Sequence, residues 1–186
     1  MISELNQNLK NKAEEILRKS GLHLSLIIEE IPGDLQAGFN KINQTVSLNL
    51  RKIIINSKRE QIEVSDYLEV IICHELGHAT DVELTMETLQ KIFSTWKVIY
   101  EKLDQLGGLQ GREQNFESIK QELLSQVEVL EDVEYFAEER ACTLGRVFVS
   151  EHLLETYDEH SRKILQIYKE NYQNIKQVDR NFISSL

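Results

Sequence analysis

Asp66-Tyr67-Leu68-Glu69-Val70-Ile71-Ile72-Cys73-His74-Glu75-Leu76-Gly77-His78 is the stretch on which the reading of this chain turns. Leu68, Ile71, Ile72 and Leu76 recur at helical spacing, and Asp66 followed three residues later by Glu69 has the form of a capping box. The segment is therefore expected to be a helix opening at Asp66. On such a helix His74 and His78 share one face, about 6 Å apart along the axis, so both imidazoles reach one ion. Zinc accepts neutral imidazole nitrogen in a tetrahedral shell and, in catalytic sites, keeps one position for water. Glu75 lies about 100° further round the helix. It flanks the ion without ligating it and is placed to serve as a general base. The bland reading of the same pair is two satisfied surface or core histidines. The capped amphipathic helix, with Gly77 and Ala79 at its end, favours the metal.

Two histidines do not finish a site. Leu84 stands where the extended motif has its third histidine, and Asp81 where that motif has its glycine, so the three-histidine version is excluded. The remaining histidines, His23, His152 and His160, are distant in sequence. A carboxylate from a later helix is the other standard solution, and the richest stretch is Tyr135-Phe136-Ala137-Glu138-Glu139-Arg140-Ala141-Cys142-Thr143-Leu144-Gly145. Glu134, Glu138 and Cys142 fall on one helical face, with Glu139 rotated by about 100°. Charged helical residues usually form a solvated face, so spacing alone leaves these carboxylates open. Cys142 as a thiolate ligand suits a closed structural site better than a catalytic one. Arg146, His152, Tyr157 and His160 follow, each readable as an oxyanion-stabilising group or as an ordinary residue of a polar helix.

Working outward, residues 3–20 read as a helix carrying Leu5, Leu9, Ala13, Ile16 and Leu17, stopped by Gly21. Residues 22–28 and 45–50 alternate as strands, and 35–39 form a short third one beyond a Pro32-Gly33 turn. From 66 onward the chain is helical. Leu89, Ile92, Phe93, Trp96, Ile99, Tyr100 and Leu103 keep the helical period until Gly107-Gly108-Leu109-Gln110-Gly111 breaks it. Phe116, Ile119, Leu123, Val127 and Leu130 resume it, giving a helical hairpin over 84–130. Further helices are expected over 133–149 and 158–177. The expected fold is a predominantly helical α+β domain over 1–186. In it a small three-stranded sheet packs on the metal-site helix, and the hairpin is an insertion.

The 186 residues carry 21 Lys and Arg against 31 Asp and Glu, a formal charge of −10. Phosphate affinity needs clustered basic residues, whereas Lys58 and Arg59 are interleaved with Glu60 and Glu63, so no nucleic-acid partner is expected. A single proline and 8 glycines leave long unpunctuated stretches, as helices require. Cys73 and Cys142 give no disulfide framework and read as buried thiols in a reducing compartment. No basic region followed by an apolar run opens the sequence, and no stretch reaches the roughly 20 apolar residues of a membrane span. The expectation is a soluble cytoplasmic protein.

His74-Glu75-Leu76-Gly77-His78 followed by Glu138-x-x-Ala141 resembles the pattern of gluzincin-type metallopeptidases. The short chain and the preceding strands are most similar to the ImmA/IrrE-like bacterial members. The resemblance implies His74, His78 and Glu138 as zinc ligands, with Glu139 the rival for the third place, and Glu75 as the base. It also implies a sheet edge, here residues 45–50, that pairs with an extended substrate by β-augmentation. The gap from His78 to Glu138 is long for that family. Cys142 stands where Asn or Asp commonly follows the alanine, leaving Asp81, on the histidine face, as the carboxylate available to brace a ligand. The implied function is a zinc-dependent endopeptidase acting on an intracellular protein or peptide, with a transcriptional repressor or toxin–antitoxin partner among the substrates the resemblance suggests. The alternative is a catalytically silent, zinc-stabilised interaction module working through its hairpin. Dimerisation through that hairpin is compatible with the enzyme.

Overall fold

The computed structural model describes residues 2–31, 33, 35–108 and 116–178. The chain divides into two compact units, one of Met1–Asp81 and Arg140–Ser161, the other of Val82–Glu139 and Arg162–Leu186. The architecture is predominantly helical α+β, as the patterning predicts, with one three-stranded mixed sheet.

The first unit opens with α1 (Ile2–Lys19), whose apolar stripe of Leu9, Ala13, Ile16 and Leu17 is buried. It shares a core with Val46 and Leu48 of the sheet and Leu68, Ile71, Ile72 and Leu76 of the helix that carries His74 and His78. Each such Leu or Ile contributes about 1.5–3 kcal/mol by leaving water. Strands β1 (Ser25–Ile28), β2 (Ala37–Asn40) and β3 (Thr45–Leu48) lie in the order β1-β3-β2. β1 pairs parallel to β3, with Ser25 opposite Thr45, and β2 pairs antiparallel, with Gly38 opposite Ser47. This corrects the expected substrate edge. β3 is the central strand, its backbone bonded on both sides, so it has no edge to offer. Three of its four residues, Thr45, Val46 and Leu48, are buried, so the alternation in the sequence does not mark an open side. The outer strands are β1 and β2, and β2 is the one that packs against the helix carrying His74 and His78.

Helix α2 (Leu50–Glu60) was not foreseen. Its β-branched run Ile53-Ile54-Ile55 conceals a helical period in which Ile53 is buried and Ile55 exposed. Asn49 starts it, the side-chain carbonyl accepting from Lys52 N at 3.2 Å, and Gln61 ends it in the left-handed region at φ 58°. Helix α3 (Val64–Thr80) begins earlier than the Asp66 cap predicts. Glu63 is the cap: its carboxylate accepts from Ser65 N at 2.6 Å and Asp66 N at 3.4 Å, and the Ser65 bonds hold it below the usual carboxylate range. Glu69, the expected partner in the box, is instead 4% exposed among apolar neighbours. It accepts from Lys12 Nζ at 3.0 Å and from Ser150 N at 3.1 Å. Burial would raise its pKa, but these bonds outweigh it and hold the carboxyl below its ordinary range.

In the second unit α4 (Met86–Gly108) and α5 (Phe116–Leu130) pack together as the expected hairpin. Ile92, Ile99 and Leu106 on one helix and Phe116, Leu123 and Leu130 on the other, each seven residues apart, form its core with Tyr172 of α7 (Leu154–Lys176). The Leu109-Gln110-Gly111 part of the expected break, and Pro32 of the expected turn, lie outside the described residues. No new helix starts at 133. The helix runs on from α5 through a wide π turn, Glu131–Tyr135, into α6 (Phe136–Gly145). Among the described residues no helix is long and apolar enough to cross a membrane.

Replacing Lys12 by Met keeps the aliphatic stem but leaves the Glu69 charge short of a partner. Unfolding free energy at pH 7 should fall by about 1–2 kcal/mol in denaturant titration. A carboxyl with a depressed folded pKa stabilises above its ordinary value of 4.5 and loses that contribution as pH falls through the folded value. The variant and the parent should therefore converge in acid.

Candidate metal centre

The site is set by how closely α3 and α6 approach. A Cβ on Gly77 would overlap the Ala141 carbonyl oxygen and stand 2.9 Å from Gly145 N. One on Gly145 would overlap the Cys73 carbonyl oxygen and the Tyr157 hydroxyl. Only hydrogen at both positions lets the two backbones touch, and side chains one turn away along each helix then converge.

His74, 7% exposed, and the half-buried His78 stand with ring centroids 4.9 Å apart and planes at 87°. Glu138 joins them: one donor atom from each of the three lies within 4.8 Å of the others, so the group can hold a metal ion. Zinc–ligand bonds of 2.0–2.2 Å put tetrahedral donors about 3.4 Å apart, within reach of small side-chain rotations. Two imidazole nitrogens and one carboxylate oxygen are a donor set that zinc accepts. Glu139, one residue on, is exposed and outside this group.

The neighbouring carboxylates have other partners. Glu134 accepts from Trp96 Nε1 at 3.0 Å on each oxygen and from the Tyr172 hydroxyl at 2.8 Å. Burial, aided by the Glu138 charge, pushes its pKa up against those bonds. Asp81, 2% exposed, is gripped by Arg140, whose Nε and Nη2 lie 3.0 Å from Oδ2, and Lys41 donates to its carbonyl at 3.1 Å. The thiol of Cys142 takes the position expected of a bracing group: Sγ is 3.8 Å from His74 Nδ1. Both cysteines are free and buried, and burial pushes the Cys73 thiol up to about 12.

Glu75 is 7% exposed on α3. The Tyr157 phenol is raised by burial first, with Cys142, Cys73 and Glu75 adding to it, so Tyr157 sits within the field of the Glu75 carboxylate. Tyr157 is itself fully buried. Arg146 is paired with Asp158 at 2.8 Å on the surface, and His152 is an exposed residue 4.0 Å from Asp66. Of the four residues considered for oxyanion stabilisation, His160 has its ring 6.5 Å from that of His74 and edge-on to Tyr67 at 6.0 Å.

Two contributors escaped sequence reading. Gly145 had a signal, a glycine inside a helical pattern. Tyr168, whose hydroxyl donates to Glu138 Oε1 at 3.1 Å, had none, being one more aromatic on a periodic helix. Comparison with models of known protein families, with curated proteins and with solved structures returns no match.

Gly77→Ala tests the close approach. The methyl group forces two backbones apart, so thermal unfolding should show a loss of about 3 kcal/mol, at the upper end for overpacking, rather than the gain an alanine brings to an ordinary helix.

Proposed function

We propose that the protein is a zinc-dependent endopeptidase acting on a protein or peptide. The observation that carries this reading is the convergence of His74, His78 and Glu138 beside a buried Glu75 on the same helix as the two histidines. When bound, zinc supplies Lewis acidity, acidifying water and polarising a carbonyl. The remaining chemistry falls to the chain. The Glu75 carboxylate takes a proton from the attacking water and delivers it to the leaving amide nitrogen as the C–N bond breaks. His160, beside His74, is the group available to donate to the developing oxyanion.

An extended substrate would pair with β2 rather than β3. Asn49 N bonds Gln36 O, so the alternation of the antiparallel ladder turns the N–H and C=O of Ala37 and Phe39 away from β3. A regulatory protein as substrate, and dimerisation through the hairpin, belong to the same proposal.

A second reading, a silent module that uses zinc only to hold its helices, has one observation in its favour. Met86, Phe93 and Tyr100 recur every seven residues on α4 and are 42%, 69% and 64% exposed, a stripe suited to a protein partner.

Protein purified without added metal should contain one zinc per chain by elemental analysis, and His74→Ala should lose it. Glu75→Gln should keep the zinc and lose peptide cleavage by a factor of about 100 or more, the scale of general-base catalysis. Cleavage that survives unchanged in Glu75→Gln would remove the base assignment.

A further inference from the structure

We infer that Tyr168 is a positioning residue for the third metal ligand, its hydroxyl holding the Glu138 carboxylate in the rotation that presents an oxygen to the ion. The inference rests on the reading of His74, His78 and Glu138 as a metal site.

Two carboxylates one turn apart, Glu134 and Glu138, are met by two phenols one turn apart on α7. Tyr172 donates to Glu134 Oε2 at 2.8 Å, and Tyr168 to Glu138 Oε1 at 3.1 Å. The pairing is antiparallel and in register, so α7 serves both acids at once. Glu134 also takes the Trp96 indole N–H on both of its oxygens. That carboxylate is tied into the hairpin, whereas the carboxylate of Glu138 joins the two histidines.

The phenols are fixed as well. Their rings lie 6.2 Å apart; Tyr172 belongs to the apolar cluster formed by Ile92, Ile99, Leu123 and Leu130, and the half-buried Tyr168 packs against it. A carboxylate side chain has a freely turning terminal group. A donor on one oxygen restricts that freedom before the ion arrives. The hairpin and α7 thereby act as the frame that orients one ligand, and partners of this kind tune metal affinity by about 10- to 100-fold.

The test is zinc affinity of the metal-free full chain, by competition with a colorimetric chelator, alongside thermal unfolding without metal. Tyr168→Phe keeps the ring and its packing. It should bind zinc about 10- to 100-fold more weakly while its metal-free unfolding stays close to that of the parent. Tyr172→Phe, which acts on Glu134, should stay within about threefold of the parent in zinc affinity, well below the loss expected for a ligand's partner. Tyr168→Phe binding as tightly as the parent would overturn the positioning role and leave the metal site standing. An equal loss in Tyr172→Phe would overturn it too, because general loosening of the helix packing would then suffice. A parent chain that takes up no zinc, or a Glu138→Gln variant that binds like the parent, would overturn the metal-site reading and the role of Tyr168 together.

Discussion

The contact between the backbones of α3 and α6 at Gly77 and Gly145 is the constraint on which the candidate centre depends. Helices that meet through side chains keep their axes about 8–10 Å apart. Removing both side chains lets the carbonyl of Ala141 and that of Cys73 face hydrogen only. Each helical glycine costs about 1 kcal/mol in propensity, a loss offset by the packing of α3, which is buried continuously from Tyr67 to Gly77.

That burial shapes the chemistry as much as the fold. A helix sunk in an apolar core strengthens every electrostatic interaction near it, since fewer waters screen the charges. It also demands that each polar group on the helix be answered. Glu69 is answered by Lys12 and Ser150, and His74 by the thiol of Cys142.

The sequence displays the chemistry of α3 openly, because ligand spacing on one helix is a local property. The His74–His78 pair was legible for that reason, and so was the helical hairpin with its facing apolar stripes. Glu138 was legible only through a family pattern, since nothing local separates it from Glu134 or Glu139. What separates them is tertiary: Trp96 and Tyr172 claim one, solvent has access to another, and the histidines meet the third. The order of the strands was hidden likewise. Alternation in residues 45–48 carries no information on whether one or two neighbours pair with the backbone. The helix of residues 50–60 escaped because three successive isoleucines suit a strand by propensity, while its start depends on the single side chain of Asn49.

The ion pair of Asp81 with Arg140 sits where the chain leaves the first unit and where it comes back, so it ties the neck of the excursion Val82–Glu139. With its ends tied, the entropy of that excursion depends only weakly on how many residues it contains: doubling its length costs about 0.6 kcal/mol. The tied neck thus holds the two ends of the excursion together at the first unit, whatever packing the helices between them supply.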